Sequence, residues 1–302
     1  MLKRWSIGLL YLVIFCSITS AETLTYLGQE PPGLTAKCFA PGLISLDDRY
    51  EHTIVFSPDG NECYFTVSTP NWSSAWIMMT TLDNGTWSPQ EKAPFSNDYS
   101  LNPSLSPDGS RLFFSSNRET KGKQGIWQCH RTPAGWSEPE EMNRQISSTA
   151  AEWSCHLSDL GNMFVCSWRE GGQGRCDGWR ITDITGDSPV AENLKVLNTG
   201  TDDCGVAPGP GERYVVFQSG RPGGQGKADL YVSYALPENQ WSEPRNLGPA
   251  VNSPEVDGGA WITYDGKYLF FSSRRSGNQD IYWVETKAFL SDPNSPAEAA
   301  IN

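Results

Sequence analysis

Leu105-Ser106-Pro107-Asp108-Gly109-Ser110-Arg111-Leu112-Phe113-Phe114-Ser115-Ser116-Asn117-Arg118 is the stretch on which the reading turns. Ser-Pro-Asp-Gly is turn chemistry: proline presets φ, aspartate bonds back to nearby backbone, and glycine takes positive φ at no steric cost. The run after it is apolar on both alternations and rich in aromatics, which marks a strand covered on both faces. The unit recurs. Ser57-Pro58-Asp59-Gly60, Ser158-Asp159-Leu160-Gly161, Gly209-Pro210-Gly211 and Thr263-Tyr264-Asp265-Gly266 bring the turns to five, with final glycines 49, 52, 50 and 55 residues apart. Each precedes an apolar run: Cys63-Tyr64-Phe65, Leu112-Phe113-Phe114, Phe164-Val165-Cys166, Tyr214-Val215-Val216-Phe217 and Leu269-Phe270-Phe271.

Working outward, every unit carries a further aromatic strand: Trp76-Ile77-Met78, Ile126-Trp127, Trp179-Arg180-Ile181, Leu230-Tyr231-Val232 and Ile281-Tyr282-Trp283. Three units add a Trp-Ser strand with a proline close behind: Trp136 and Trp241 open Trp-Ser-x-Pro, and Trp87-Ser88 is followed directly by Pro89. With one strand before each turn, a unit has four antiparallel strands, and radial repetition of such units is a β-propeller. A linear solenoid is the alternative. The ends favour a ring. Unit five stops near Thr286 without a fourth strand, whereas Leu34-Thr35-Ala36-Lys37-Cys38-Phe39-Ala40-Pro41 resembles the fourth-strand stretch Trp87 to Pro94. The sequence therefore predicts an all-β, five-bladed propeller of four-stranded blades, the last closed by the N-terminal strand, which hides an edge that would invite aggregation.

The Ser-Pro-Asp-Gly turn, the Phe-Phe-Ser-Ser-x-Arg run, the Gly-Gly-Gln-Gly-x-x-Asp-Leu-Tyr stretch at 223 to 231 and the Trp-Ser-x-Pro strand resemble the WD40-like, TolB-type propeller repeat of exported bacterial proteins. The resemblance covers residues 26 to 288. It implies architecture and a bacterial, exported setting, and says little about activity, because such repeats serve as binding scaffolds, peptidase partner domains and lyases. There is no Gly-x-Ser-x-Gly elbow, so the peptidase role does not carry over.

Composition agrees with this class. The 302 residues are 38% hydrophobic, 12% aromatic and 19% charged, with 29 Gly and 21 Pro, too little charge and too many turn formers for a coiled coil or helical bundle. Lys3 and Arg4, the apolar stretch Trp5 to Ile18 and Thr19-Ser20-Ala21 read as a cleaved signal peptide over 1–21, with the propeller over 22–288 and a loose tail over 289–302. Cys16 raises a lipoprotein alternative, which Phe15 in place of a small residue disfavours. The expected location is secreted or periplasmic, with no membrane span. Net charge is −12, or −14 once Lys3 and Arg4 are removed, which disfavours nucleic acid and anionic lipid.

Alignment of the units also predicts a charge pattern. The start of each inner strand carries Glu51, Ser100, Glu152, Asp202 or Asp257, and the end of the next strand carries Arg118, Arg169, Arg221 and Arg274 or Arg275, with no Arg in unit one. Pairing each Arg with the acid of the following blade matches every charge: Arg118 with Glu152, Arg169 with Asp202, Arg221 with Asp257, Arg274 or Arg275 with Glu51. That scheme leaves a gap between blades one and two. The gap is the expected ligand site, ringed by His52, Trp72, Trp76, Tyr99, Ser100 and Asn102, whose aromatic, hydroxyl and amide groups suit a glycan or a peptide side chain. The expected function is a non-catalytic scaffold binding a protein or glycan on the channel-mouth face. The alternative is a glycan-active hydrolase or lyase using Glu51, His52, Glu152, Asp202 and Asp257, since two carboxyl groups about 5 to 5.5 Å or about 6.5 to 9.5 Å apart suit retaining or inverting hydrolysis. No His, Cys or Asp spacing matches a zinc or calcium site, so neither metal nor cofactor is expected. Cys155 with Cys166 and Cys176 with Cys204 are the disulfide candidates, placed by hairpin symmetry about the Ser158–Gly161 turn and by a shared face.

Overall fold

The computed structural model describes residues 26–118 and 123–290. The expected signal peptide and nearly all of the expected tail lie outside these residues. Five antiparallel sheets form, one per sequence unit. From the inside outward, blade one is Tyr50–Phe56, Glu62–Ser68 and Ala75–Asp83; blade two is Ser100–Leu105, Arg111–Ser116 and Gly125–Thr132. Blade three is Glu152–Leu157, Met163–Ser167, Asp177–Thr182 and Val190–Asn193. Blade four is Asp203–Pro208, Tyr214–Ser219 and Asp229–Leu236; blade five is Asp257–Ile262, Tyr268–Ser273 and Asp280–Glu285. Inner strands of successive blades face one another, and blade five packs against blade one, so the ring closes.

The outer edge follows from proline chemistry. In blades one, two and four the expected fourth strand splits into two two-residue pieces, Thr86–Trp87 with Glu91–Lys92, Gly135–Trp136 with Glu140–Glu141, and Gln240–Trp241 with Arg245–Asn246. Pro89, Pro139 and Pro244 sit in the breaks, because proline has no N–H to give the ladder. The serine before each break compensates: the hydroxyls of Ser88, Ser137 and Ser242 accept from the N–H of Thr81, His130 and Tyr234. In blade five the N-terminal Lys37–Cys38 supplies the edge, paired with Trp283 and Tyr282. A helical turn, Lys287–Leu290, then buries Phe289, so the folded body runs two residues past the expected boundary at 288.

The second strands supply the core. Tyr64, Phe65, Phe113, Phe114, Phe164, Phe217, Phe270 and Phe271 are fully buried, as expected of strands sandwiched between neighbouring blades. The Trp-Ser-x-Pro tryptophans fasten blades to each other: the Trp136 indole donates to the Tyr64 hydroxyl at 2.8 Å, and Trp241 packs edge-on to Phe164.

Turn four corrects the alignment. The turn residue whose N–H reaches back to the first turn carbonyl is Gly60, Gly109, Gly161 and Gly266 in four blades, but Glu212 in blade four. Glu212 takes φ +51°, a conformation that usually favours glycine. It is held by Arg180, Ser158 and Asn162 of blade three. Anchoring on Gly211 placed the blade-four acid one residue early; the residue equivalent to Glu152 and Asp257 is Asp203, paired with Ser219 as they are with Ser167 and Ser273.

Candidate functional site

All five inner strands share one irregularity, a bulge within three residues of the strand's start, at Glu51/Ile54, Leu101/Ser104, Glu152/Ser154, Cys204/Ala207 and Gly258/Trp261. A bulge re-aims side chains and tightens the local bend. Here the bulges ring the channel. Asn102, Gly205 and Gly259 hold φ of +55°, +63° and +60° at them. The ring is closed by contacts between blades: Thr53 Oγ1 donates to Asn102 Oδ1 at 3.2 Å, and Asn102 Nδ2 donates to the Trp153 carbonyl. A Cβ on Gly259 would stand 2.9 Å from the His52 carbonyl, so blades five and one need glycine to approach this closely.

Above this ring, at the end where the inner strands begin, lies a cavity of about 300 Å³. Its lining includes His52, Trp72, Asn102, Trp153, Gln218, Arg274 and Gln279, and no Asp or Glu among the described residues. The opposite end holds a smaller cavity of about 220 Å³, and there the Tyr264 hydroxyl of blade five donates to the Leu105 carbonyl of blade two. Because blade one lies between blades five and two in the ring, that bond crosses the bore. His156 borders both cavities.

His52, Trp72 and Asn102 therefore meet at the mouth, as the sequence suggested. The His52 ring lies 4.0 Å from the Trp72 ring and is fixed at both nitrogens, Nδ1 accepting from Gln279 and Nε2 lying 2.9 Å from the Ser68 hydroxyl. Burial, reinforced by Arg274, lowers its pKa to about 3. The imidazole is held neutral at pH 7 between Gln279 and Ser68. Trp76, Tyr99 and Ser100 do not line the cavity: Trp76 packs on the core of blade one, Tyr99 bridges Ala75, and Ser100 is fully buried. Gln218, Arg274 and Gln279, which do line it, were not named at this site because they lie at strand ends of blades four and five, far from His52 and Asn102 in sequence.

The inter-blade ion pairs are corrected. Arg169 pairs with Glu152 at 3.1 Å, Arg221 with Asp203 at 3.1 Å and Arg275 with Asp257 at 2.8 Å, each within its own blade. The register explains it. Each acid lies directly opposite Ser167, Ser219 or Ser273, and the Arg two residues beyond that serine shares its side of the strand. The same guanidinium also donates to the carbonyl of Ile146, Leu197 or Val251 in the connector entering the blade. Asp202 stands outside this pattern and pairs with Arg175 at 2.5 Å. Arg274 bonds Gln279 and covers the Tyr50 ring.

Blades one and two solve the exceptions locally. In blade one Arg49, from the connector, covers Phe65, bonds the Ile44 carbonyl and reaches Glu51 at 2.6 Å, so it does the work of the missing strand-end Arg. Burial pushes Glu51 up to about 8 despite that partner. In blade two the Asn97 amide oxygen accepts from Ser100 and Ser116 where the other blades place a carboxylate, and Arg118 donates to Phe95 and covers Phe114. The expected gap is thus filled by an amide.

One of the two expected cysteine pairs is overturned, Cys155 with Cys166, while Cys176 and Cys204 do come together. Hairpin partners in blade three are Cys155 with Val165 and Ser154 with Cys166, so Cys155 and Cys166 are one step out of register and project to opposite faces. Cys166 instead meets Cys176 and Cys204: their sulfurs lie within 4.8 Å of one another, and Cys166 and Cys176 are 2.7 Å apart. All three are free thiols. The sequence pointed to Cys176 with Cys204 but not to Cys166, which joins them from the second strand of blade three.

No protein-family model and no curated protein matches the chain. Among solved structures, TolB from Acinetobacter baumannii aligns over 78% of this chain at 15% identity with a TM-score of 0.51, and this chain spans only 53% of its length. A putative TolB from Agrobacterium tumefaciens gives 17% identity and a TM-score of 0.52, covering 80% of this chain and 78% of that one. An alpha-L-arabinofuranosidase from Lactobacillus brevis gives 12% identity and 0.54, covering 80% and 90%. Likeness at these identities establishes fold and leaves activity open. The chain is a five-bladed β-propeller of TolB-like fold.

Proposed function

We propose that this chain is an exported, non-catalytic binding scaffold that takes a protein segment or a glycan at the open end of its channel. The observation that carries the reading is the disposition of its acids. Glu152, Asp203 and Asp257 are fully buried and spent on Arg and hydroxyl partners of their own blades, and Glu51 is buried against Arg49. None borders the cavity. A hydrolase of the two-carboxylate kind needs both groups at the substrate. What the cavity offers instead is recognition: the Trp72 ring for stacking, the Gln218 amide for a hydrogen bond, and the Arg274 guanidinium for one anionic group. Export rests on the N-terminal Lys3-Arg4, apolar stretch and small residues, and among the described residues no helix is long and apolar enough to cross a membrane.

Incubation with a panel of neutral and acidic polysaccharides, scored for both retention and new reducing or unsaturated ends, tests this. Retention without product, weakened at least about tenfold by Trp72→Ala or Arg274→Ala, is expected. New ends would restore the hydrolase or lyase reading, with His52 the first residue to replace.

A further inference from the structure

At three junctions between blades the structure brings the same three positions together: the last residue but one of the second strand, the residue just before the third strand, and the residue after the inner-strand acid of the next blade. Between blades five and one these are Ser272, Gln279 and His52, with the Gln279 amide bonded to both of the others. Between blades four and five they are Gln218, Ala228 and Gly258, where the Gln218 amide fills the space that a Cβ on Gly258 would need. Between blades three and four they are Cys166, Cys176 and Cys204.

Three contacts hold the two segments of this junction together. The Asp203 N–H donates to the Cys176 carbonyl at 2.8 Å, tying the loop of blade three to the inner strand of blade four. The Arg175–Asp202 pair brackets the same two segments from outside. Gly174 allows the loop to lie against the connector, where a Cβ would collide with the Thr199 and Thr201 carbonyls. Cys166 and Cys204 border the channel cavity while Cys176 sits behind them, so an ion has a route in through the open end.

We propose that Cys166, Cys176 and Cys204 form a three-sulfur site for a soft metal ion, monovalent copper before zinc. Thiolates select soft ions over calcium or magnesium. Three sulfurs in a plane around one ion at about 2.3 Å stand about 4 Å apart, which the cluster reaches by widening the Cys166–Cys176 contact. No histidine or carboxylate joins the group among the described residues, and three-coordination suits monovalent copper. Zinc would need a fourth ligand from solvent in the channel. On binding, each ligating thiol releases its proton to buffer and the ion keeps its oxidation state. A packing role for buried cysteine accounts for one small apolar residue at this spot. It does not account for three at the one junction where the equivalent set is all sulfur.

The experiment is anaerobic titration of the full, reduced protein with monovalent copper against a competing chelator, with zinc in parallel. One copper ion per chain is expected, together with protection of Cys166, Cys176 and Cys204 from alkylation, mapped by peptide mass. Cys204→Ser should weaken retention at least about tenfold, whereas Cys63→Ser, at a buried cysteine away from the cluster, should retain the ion. Should Cys204→Ser fail to fold, the protection map of the native chain decides alone. Absence of stoichiometric copper, undiminished retention by a folded Cys204→Ser protein, or a Cys166–Cys176 disulfide that forms in preference to ion binding would overturn the proposal.

Discussion

The blade five/one junction and the blade three/four junction have the same backbone and opposite chemistry. At the first, Gln279 bridges His52 and Ser272, so every polar group has a partner and the triad is finished as it stands. At the second, three thiols, weak as donors and as acceptors, meet at the equivalent point. One backbone register therefore yields a locked polar contact or an open soft-ligand set, according to which three side chains it carries. The lesson is that in this ring the position supplies convergence and the residue supplies function.

The largest expected effect tests what holds both junctions in register. Asp203→Ala would leave the Arg221 guanidinium buried beside a carbonyl without its counter-charge, and should cost about 3 to 5 kcal/mol in chemical denaturation. Asn97→Ala, the neutral counterpart in blade two, should cost less, about 1 to 3 kcal/mol. Equal losses would show that the charge itself contributes nothing.

Next in size is the proton dependence of the five/one junction. His52 has a folded pKa of about 3 against an ordinary value of 6.5, so between these limits the unfolded chain binds the extra proton. Its contribution is an acid-side loss of stability, beginning near pH 6.5 and continuing to about pH 3. His52→Gln should flatten that part of the stability profile; an unchanged slope would mean the imidazole is wet. Glu51 opposes it, since a carboxyl raised from 4.5 to about 8 binds its proton more tightly when folded and gives up stability as pH rises through that range. Gln279→Ala, which removes the donor to His52 Nδ1, should cost about 1 to 3 kcal/mol.

The comparison is sharpened by transplanting one junction onto another. Placing cysteine at all three blade four/five positions, by Gln218→Cys, Ala228→Cys and Gly258→Cys together, should add a second monovalent copper ion per chain. A folded protein still binding a single ion would show that the Arg175–Asp202 clamp contributes something the Lys227–Glu255 pair does not. The smallest effect is expected at the far end of the bore, where Tyr264→Phe should cost about 0.5 to 1.5 kcal/mol, read by thermal unfolding.

The ring was legible because turns and apolar strands leave strong, periodic marks, and because Lys37 and Cys38 sit in a segment that copies the missing edge of blade five. What sequence missed was of one kind, displacement by a single residue or by a whole blade. Glu212 stands at positive φ where glycine was assumed, which moved the acid from Asp203 to Asp202. Cys155 and Cys166 miss each other by one step, and in a strand one step is the opposite face. The Arg residues return to their own hairpin because alternation carries them there, a constraint that matching of charges around a circle ignores. His52, Trp72 and Asn102 were named for a charge gap that Asn97 fills, and they line the cavity all the same, whereas Gln218, Arg274 and Gln279 join them only through closure.

That closure is made by a very small clasp. Lys37 and Cys38 pair with the final strand over two residues, helped by backbone bonds from Ala36 to Ala250, Phe39 to Ile281 and Glu285 to Gly33. During synthesis this segment leaves the ribosome before any blade exists, yet its resting place is the last sheet to be made. The leading segment therefore has no sheet to join until the fifth blade is in place, and closing the circle depends on the strand that lies farthest from it in sequence.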